Sequence, residues 1–165
     1  MFKIGIGQDS HRFVEGHTSK KLVLGGVVIE NSPALEGNSD ADVILHAITN
    51  AISGVSCKNI LGRIADDMCL KEGITDSKAY LKAALDTLND YKITHVSISI
   101  EALKPKLEPY IEKIRESIAN LLDINKYSVG ITATTGEGLT KFGQGEGIFC
   151  TAIVTAQHII SHKSD

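Results

Sequence analysis

Residues 2–13, FKIGIGQDSHRF, decide the fold, because they have the pattern of one long β-strand with two different faces. Successive side chains of a strand point to opposite sides of the sheet. One face is apolar and carries Phe2, Ile4 and Ile6. The other face carries two glycines and a polar pair, namely Gly5, Gly7, Asp9 and His11. The glycines leave room on that face for a ligand or for another backbone to come close.

Asp9 and His11 are the first candidate metal ligands. On a strand they lie about 6.6 Å apart, at roughly 3.3 Å of rise per residue, and point to the same side. Both side chains can therefore reach one ion at about 2.0–2.2 Å. His46, on a predicted helix, would supply a third ligand, and three N/O ligands with one open position are typical of catalytic zinc. The alternative is a solvated surface histidine at position 46.

The predicted helix that carries His46 begins at Ser39 and runs to about Ser53. Its start is indicated by Ser39-Asp40-Ala41-Asp42, which has the S-x-x-D form of a capping box. The apolar positions recur at helical spacing and are Ile44, Ile48, Ala51, Ile52 and Val55. At about 100° per residue, His46 falls on the opposite side, one turn above Asp42. The sequence therefore predicts that His46 lies outside the core stripe.

The remaining pattern predicts the fold class. Residues 56–75 show no clear periodicity and are predicted to be irregular. The other predicted elements are an extended stretch at 22–29 with a glycine corner at Gly25-Gly26, helices at 76–88 and 108–122, and strands at 93–102, 127–134 and 148–159. This order predicts an α+β protein with helices packed on one face of a sheet, and one domain over residues 1–165.

Composition and charge narrow the class of partner. The net charge of −3 argues against a nucleic-acid partner, because no face is expected to carry the positive potential that phosphate backbones select. No apolar run approaches about 18 residues, so no membrane span is expected. Cys57, Cys69 and Cys150 form no CxxC pair and are expected to be buried free thiols of a reducing compartment. Together with an N-terminal segment that lacks a targeting pattern, these features predict a cytoplasmic protein.

Two further segments have the chemistry of phosphate binding. The loop predicted at 135–147 is rich in glycine, which lets backbone N–H groups turn toward an anion, and Glu137 could hold a hard cation such as Mg²⁺. Lys104-Pro105-Lys106 leaves a strand for a helix, a place where amides and an ammonium group suit a phosphate. The pattern also leaves open an ordinary long loop and a solvated basic turn.

Four segments together resemble the 2-C-methyl-D-erythritol 2,4-cyclodiphosphate synthase family, in the family's own order and over residues 4–157. They are Gly7–Phe13, which resembles the G-x-D-x-H-R-F opening, Ser39–Ala47, which resembles the H-S-D-G-D-V-x-x-H-A helix start, Pro105-Lys106, which matches the P-K turn, and Ala133–Glu137 with Gly145–Ile148, which match the closing loop.

The resemblance implies a four-stranded mixed sheet with helices on one face, assembled as a homotrimer with active sites at the subunit interfaces. It implies a phosphorus–oxygen lyase of the non-mevalonate isoprenoid pathway. Its substrate would be a cytidine diphosphate derivative, 4-diphosphocytidyl-2-C-methyl-D-erythritol 2-phosphate. The products would be 2-C-methyl-D-erythritol 2,4-cyclodiphosphate and CMP.

The resemblance also implies the site residues. The Zn²⁺ ligands would be Asp9, His11 and His46, and Glu137 would bind Mg²⁺ or Mn²⁺ between the α and β phosphates. Asn38 and Thr135 would occupy catalytic positions. The implied substrate-binding residues are Asp9, Ser10, His11, Asn38, Ser39, Gly62, Ala102, Leu103, Lys104, Pro105, Lys106, Thr134, Thr135, Gly136, Glu137, Lys141 and Gln144.

Three positions depart from the family's pattern. Asn38 stands where the family usually has a histidine that contacts phosphate, and an amide carries no positive charge. Ile60-Leu61-Gly62 stands in place of D-I-G, so the aspartate that contacts the substrate hydroxyls is missing, and Asn59 or Asp67 is a candidate replacement. Gln144 replaces an arginine that in relatives points into the central cavity of the trimer.

Two other functions fit the same residues. A zinc-dependent phosphohydrolase would need a carboxylate poised over a metal-bound water, and it would release CMP with a linear phosphate. A non-catalytic trimeric cytidine-nucleotide-binding protein would have lost its activity at Asn38 and Ile60.

Overall fold

The computed structural model describes residues 1–159 of the chain. Its strands are β1 Phe2–Arg12, β2 Leu22–Leu24, β3 Val27–Ile29, β4 Tyr91–Glu101, β5 Val129–Thr134 and β6 Gly147–His158. Its α-helices are α1 Val43–Ser56, α2 Arg63–Glu72, α3 Ser77–Leu85 and α4 Ile111–Leu122. Single 3₁₀ turns lie at Glu108–Tyr110, Lys126–Ser128 and Gly136–Gly138.

The main sheet has four strands in the order β1-β6-β4-β5. β6 pairs antiparallel with both β1 and β4, whereas β4 and β5 are parallel, so the sheet is mixed. The predicted glycine corner is also confirmed: β2 and β3 form a small antiparallel hairpin around Gly25-Gly26. The α+β class predicted from the sequence is therefore confirmed.

The helices cover one face of the sheet, and α1 lies directly against β1 and β6. The two glycines of β1 permit this contact. A Cβ on Gly5 or Gly7 would lie well under 3.0 Å from the backbone carbonyl oxygens of Ala51 and Ala47, respectively. The space predicted beside Asp9 and His11 is thus filled by the backbone of α1.

Asp42 is the N-cap of α1, and its carboxylate is wholly buried. Oδ1 accepts the amides of Ile44, Leu45 and Gly25 at 3.1, 3.0 and 2.8 Å, and Oδ2 accepts the amide of Gly26 at 2.6 Å. Burial raises the pKa of Asp42 to about 6, although the amide donors oppose that shift. One carboxylate therefore joins the start of α1 to the β2–β3 turn.

The predicted helix start at Ser39 is wrong, because the helix begins at Val43. Ala41 has a positive φ of 55°, which interrupts the helix, and the Ser39 hydroxyl accepts the Ala41 amide in a local turn. The alternative of a solvated surface histidine at position 46 is also wrong. The side of α1 opposite the sheet is covered by α3, so His46 is only 7% exposed.

Helix α2 occupies part of the segment predicted to be irregular. It buries one residue, Ala65, so it has no apolar stripe that the sequence could reveal. Its N-cap, Gly62, supplies no capping side chain, and its C-cap, Gly73, adopts the left-handed conformation that often ends helices. A helix that packs this little of its surface is hard to recognise from periodicity.

Smaller differences concern boundaries and cysteines. α3 ends at Leu85 and β4 begins at Tyr91, each a few residues earlier than predicted. All three cysteines are free as expected, but only Cys150 is buried; Cys57 is exposed at the end of α1 and Cys69 is half-buried. Within residues 1–159, no helix is long and apolar enough to cross a membrane.

The face of the sheet opposite the helices is open and partly apolar. Ile4 is 71% exposed and Ile6 is 62% exposed, and Ile6 pairs across the sheet with the exposed Ile153. The apolar face that the sequence predicts for β1 is therefore real, but in the single chain it faces away from the core.

Prediction for the two aspartate caps. Asp42→Ala should lower the free energy of unfolding by about 3 kcal/mol or more, because it leaves several buried amides without an acceptor. Asp76→Ala is the matched control, since Asp76 also caps a helix but accepts only the exposed Lys78 amide. It should cost about 1 kcal/mol. Urea unfolding at one fixed protein concentration measures both, and equal losses would contradict the linking role of Asp42.

Candidate metal centre

Asp9, His11 and His46 converge on one point at the junction of β1 and α1. Asp9 Oδ2 lies 2.9 Å from His11 Nε2 and 2.9 Å from His46 Nδ1, and the two ring nitrogens are 3.3 Å apart. All three donor atoms lie within 4.8 Å of one another. Two imidazoles and one carboxylate at this spacing form a donor set that can hold a metal ion. The three ligands predicted from the sequence are therefore brought together.

The electrostatics of Asp9 suit a ligand that must stay ionised. Burial alone would raise the pKa of this carboxyl group. The hydrogen bonds and charges of His11 and His46 outweigh burial and lower the pKa to about 2. Asp9 is therefore a carboxylate at neutral pH and presents a negative charge to the point where the donor atoms meet.

The second ring nitrogen of His46 faces away from the other two ligands. Nε2 lies 2.8 Å from the Ser77 hydroxyl oxygen, at the start of α3. The Ser77 hydroxyl in turn donates to Asp40 Oδ1 in a short hydrogen bond. His46 is thus held between Asp9 on one side and Ser77 on the other, so its ring orientation is fixed.

A cavity of about 300 Å³ opens beside the metal centre. Its lining includes all three ligands and three other residues that the resemblance implied, namely Asn38, Ser39 and Gly62. The residues that the sequence analysis missed are Gly37, Leu61, Ala65, Asp66, Cys69 and Tyr80. Tyr80 is buried, and this burial raises the pKa of its hydroxyl group. The hydroxyl donates to the Ile74 carbonyl at 2.5 Å. A ligand that enters this cavity can reach the donor atoms directly.

The start of α2 brings one acidic side chain to the cavity, that of Asp66, which lies in the first turn of the helix. The lining contains neither Asn59 nor Asp67, the two candidates drawn from the sequence. Asp67 instead pairs with Lys71, one helical turn away, at 2.8 Å. The sequence pattern gave no sign that Asp66 lines the cavity, because residues 56–75 were predicted to be irregular.

The second group of predicted residues assembles where β4 and β5 end. The Ala102 amide donates to the Thr134 carbonyl at 3.0 Å, and the Leu103 amide donates to the Phe142 carbonyl at 3.2 Å. These bonds place Ala102–Lys106 beside Thr134–Gly136, and Glu137 follows in a 3₁₀ turn with a positive φ of 51°. Of the residues that the structure describes, none from 102–106 or 134–144 lines the cavity at the metal centre.

Ser10, Lys141 and Gln144 lie outside that cavity as well. Ser10 alternates with Asp9 and His11 on β1, and it lines a separate cleft with Lys141. Lys141 pairs with Glu146 at 2.6 Å, and the Gln144 side chain donates to the Gly138 carbonyl at 3.2 Å. Their implied contacts with substrate stay predictions.

The fold and the site together define a class of protein: an α+β protein with a three-ligand metal centre that opens on a cavity large enough for a substrate group. The chain belongs to the YgbB family, whose model matches residues 2–157. The resemblance drawn from the four sequence segments is therefore confirmed.

Curated relatives carry the name 2-C-methyl-D-erythritol 2,4-cyclodiphosphate synthase. The protein of Chlamydia muridarum is 50% identical over 156 residues, which cover 94% of this chain and 88% of the relative. The protein of Chlamydia caviae is 48% identical over 156 residues, which cover 94% of this chain and 89% of the relative.

Solved structures with the same fold include a synthase of this name, an IspF and a bifunctional IspDF. The Plasmodium vivax protein superposes with a TM-score of 0.80 at 28% identity, covering 97% of this chain and 100% of that one. The Plasmodium falciparum IspF, a complex with CDP, gives 0.80 at 27% identity, covering 96% and 97%. The bifunctional IspDF of Campylobacter jejuni gives 0.86 at 29% identity and covers 96% of this chain, which spans 43% of that longer protein.

Prediction for the metal centre. Metal-free protein should bind one Co²⁺ per chain with visible d–d absorption, and His11→Ala should weaken that binding by more than about tenfold, since one of three ligands is lost. His17→Ala is the matched control, because His17 is exposed in the loop between β1 and β2. Similar Co²⁺ affinity for the two variants would contradict the assignment of the ligands.

Proposed function

We infer that this chain is a 2-C-methyl-D-erythritol 2,4-cyclodiphosphate synthase, a phosphorus–oxygen lyase of the non-mevalonate isoprenoid pathway. It converts 4-diphosphocytidyl-2-C-methyl-D-erythritol 2-phosphate to the 2,4-cyclodiphosphate and releases CMP. The observation that carries this inference is the metal centre itself: Asp9, His11 and His46 converge, in a chain that is 50% identical to a synthase over 94% of its length.

The main task of the protein in this reaction is to hold the 2-phosphate and the β-phosphorus in position. An oxygen of the 2-phosphate forms a bond to the β-phosphorus, the bond to the bridging oxygen breaks, and CMP leaves with that electron pair. The attacking phosphate is already an anion, so the site needs no general base. Asn38 and Ser39, beside the metal centre, are placed to donate hydrogen bonds to phosphate oxygens in the cavity.

We propose Zn²⁺ as the ion of the triad. A tetrahedral ion with bonds of about 2.0–2.1 Å separates its ligand atoms by roughly 3.3 Å. That value matches the 3.3 Å between His11 Nε2 and His46 Nδ1, whereas Asp9 Oδ2 lies nearer to each nitrogen, at 2.9 Å. When bound there, Zn²⁺ would act as a Lewis acid on phosphate oxygens. Glu137, in the 3₁₀ turn after β5, would hold Mg²⁺ or Mn²⁺ between the α and β phosphates.

The two groups of site residues support a homotrimer with active sites between subunits. In one chain, Thr134–Glu137 and the residues after β4 lie apart from the cavity at the metal centre. The open sheet face also needs a partner, because Ile4, Ile6 and Ile153 leave apolar surface exposed. Contact between copies through this face would bury that surface. It would also bring Thr134–Glu137 and the residues after β4 of one subunit to the metal centre of the next.

Ala102–Lys106 and Thr134 would then line the pocket for cytidine and diphosphate, while Thr135 and Gly136 offer a hydroxyl and a backbone amide to phosphate. Within this turn, the Thr135 hydroxyl accepts the Glu137 amide at 3.5 Å. The cytoplasmic location and the single domain over residues 1–165 also stay predictions, as does the lack of a nucleic-acid partner.

Prediction for the reaction. Wild-type protein with Zn²⁺ and Mg²⁺ should produce a cyclic diphosphate signal by phosphorus NMR, together with CMP. His46→Ala and the isosteric Asp9→Asn should each abolish both products, because each removes a metal ligand. His17→Ala, at an exposed histidine in the loop between β1 and β2, should leave turnover unchanged. Sedimentation equilibrium of all four proteins should give three times the mass of the chain.

The alternatives give different products in the same experiment. A phosphohydrolase would release CMP with a linear phosphate, and a nucleotide-binding protein would bind cytidine nucleotides without turnover. Near-normal turnover of His46→Ala would contradict the role of the metal centre, and a monomeric mass for the wild type would contradict the trimer.

Prediction for the substrate hydroxyls. We propose that Asp66 takes the place of the aspartate missing at Ile60, because it is the carboxylate that the start of α2 brings to the cavity. Asp66→Asn should raise KM about tenfold with a smaller effect on kcat, which corresponds to one lost charge-assisted hydrogen bond. Asp67→Asn is the matched control, since Asp67 pairs with Lys71. Equal KM values for the two variants would contradict the assignment.

A further inference from the structure

A series of three hydrogen-bonded side chains runs from His46 at the metal centre through the buried Ser77 to Asp40, which is half-buried. His46 Nε2 contacts the Ser77 hydroxyl at 2.8 Å, and that hydroxyl donates to Asp40 Oδ1. Ser77 is 0% exposed and His46 is 7% exposed, so bulk water does not offer either group another partner. Each hydrogen bond in this series therefore constrains the next one.

The direction of the hydrogen bonds follows from the carboxylate. An ionised carboxylate can only accept, so Asp40 fixes the Ser77 hydroxyl proton on its own side. The Ser77 oxygen then presents a lone pair to His46, which must donate its Nε2 proton. In the neutral ring, a proton on Nε2 leaves Nδ1 with a free lone pair. Nδ1 is the nitrogen that lies 2.9 Å from Asp9 and 3.3 Å from His11.

The opposite arrangement would disable the site. If the Ser77 hydroxyl donated to Nε2, the ring proton would sit on Nδ1, where the Asp9 carboxylate can accept it at 2.9 Å. Asp9 therefore favours this arrangement when no ion is bound, and Asp40 and Ser77 act against it. A protonated Nδ1 cannot bind a metal ion. Two tautomers of one buried histidine therefore correspond to a working and a blocked ligand.

We propose that Asp40 is a positioning residue for the metal centre, and that it acts through Ser77 to keep His46 in the tautomer with Nδ1 free. This proposal rests on the metal site proposed above and adds two residues that contact neither the ion nor the substrate. Asp40 is itself held in place: its Oδ2 accepts the Ser77 amide and its Oδ1 accepts the Asp42 amide, both at 3.2 Å. The carboxylate is thus fixed between the segment that enters α1 and the start of α3.

The first test reads the tautomer in metal-free protein. Two-bond proton–nitrogen correlation at pH 8 should show His46 with its proton on Nε2 in the wild type. In Asp40→Asn, the new amide group can donate to Ser77, so the population should shift toward a proton on Nδ1. A wild-type His46 protonated on Nδ1 would overturn the proposal, and this result does not depend on whether the metal site is correctly assigned.

The second test reads metal affinity. Competition with a chromophoric chelator should show Zn²⁺ binding about 10- to 100-fold weaker in Ser77→Ala and Asp40→Asn than in the wild type. The control Asp86→Asn, at an exposed aspartate that pairs with Lys82, should bind like the wild type. Because Asp40 acts through Ser77, the double variant should bind no more weakly than Ser77→Ala alone.

A purely structural role gives a different result. Asp40 also accepts two backbone amides, so its variants should lose stability in metal-free protein whether or not the proposal holds. Lower stability with unchanged Zn²⁺ affinity, or additive losses of affinity in the double variant, would overturn it. Absence of Zn²⁺ binding in the wild type would instead overturn the metal site, with the tautomer measurement still standing.

Discussion

The metal centre depends on how closely the backbones of α1 and β1 approach each other. Gly7 has no Cβ, and any side chain there would collide with the backbone carbonyl of Ala47. Ala47 is the residue that follows His46. This contact fixes the distance between the helix and the strand, and so between His46 on one and Asp9 on the other. A wider gap would leave the two imidazoles too far apart to share one ion. The glycines of β1 are thus part of the metal site, although they donate no ligand.

The sequence predicted the parts of the fold that periodicity controls. The predicted strand at 93–102 and the predicted helix at 108–122 were readable because β4 and α4 each bury one side. Helix α2 was missed for the opposite reason, since it buries only Ala65. The start of α1 was misplaced because a capping-box pattern at Ser39 cannot show that Ala41 has a positive φ or that Asp42 turns inward. The inward position of Asp42 depends on the β2–β3 turn, whose Gly25 and Gly26 amides donate to it from 17 and 16 residues away.

The candidate site divides in the same way. Asp9 and His11 could be paired from their spacing, and His46 could be added from its place on a predicted helix. The family's motifs supplied Asn38 and Ser39. Ser77 and Asp66 carried no signal, because their positions come from how α3 and α2 pack around α1 and not from any local pattern. The alternative of a solvated surface histidine at position 46 failed for a related reason. A helix wheel describes one helix, whereas α1 is covered by the sheet on one side and by α3 on the other.

The capping of α1 by Asp42 limits how the proposed site can attract phosphate. The start of a helix normally offers free amides and a positive dipole to an anion. Here the Asp42 carboxylate already takes the amides of Ile44 and Leu45, and its charge opposes the dipole. The N-terminus of α1 is therefore closed to phosphate, although it lies beside the cavity. In the proposed site, attraction for a polyanionic substrate would come from ions held by the triad and by Glu137, from Lys104 and Lys106, and from neutral donors such as Asn38 and Ser39. In such a site, the orientation of each ligand matters as much as its identity.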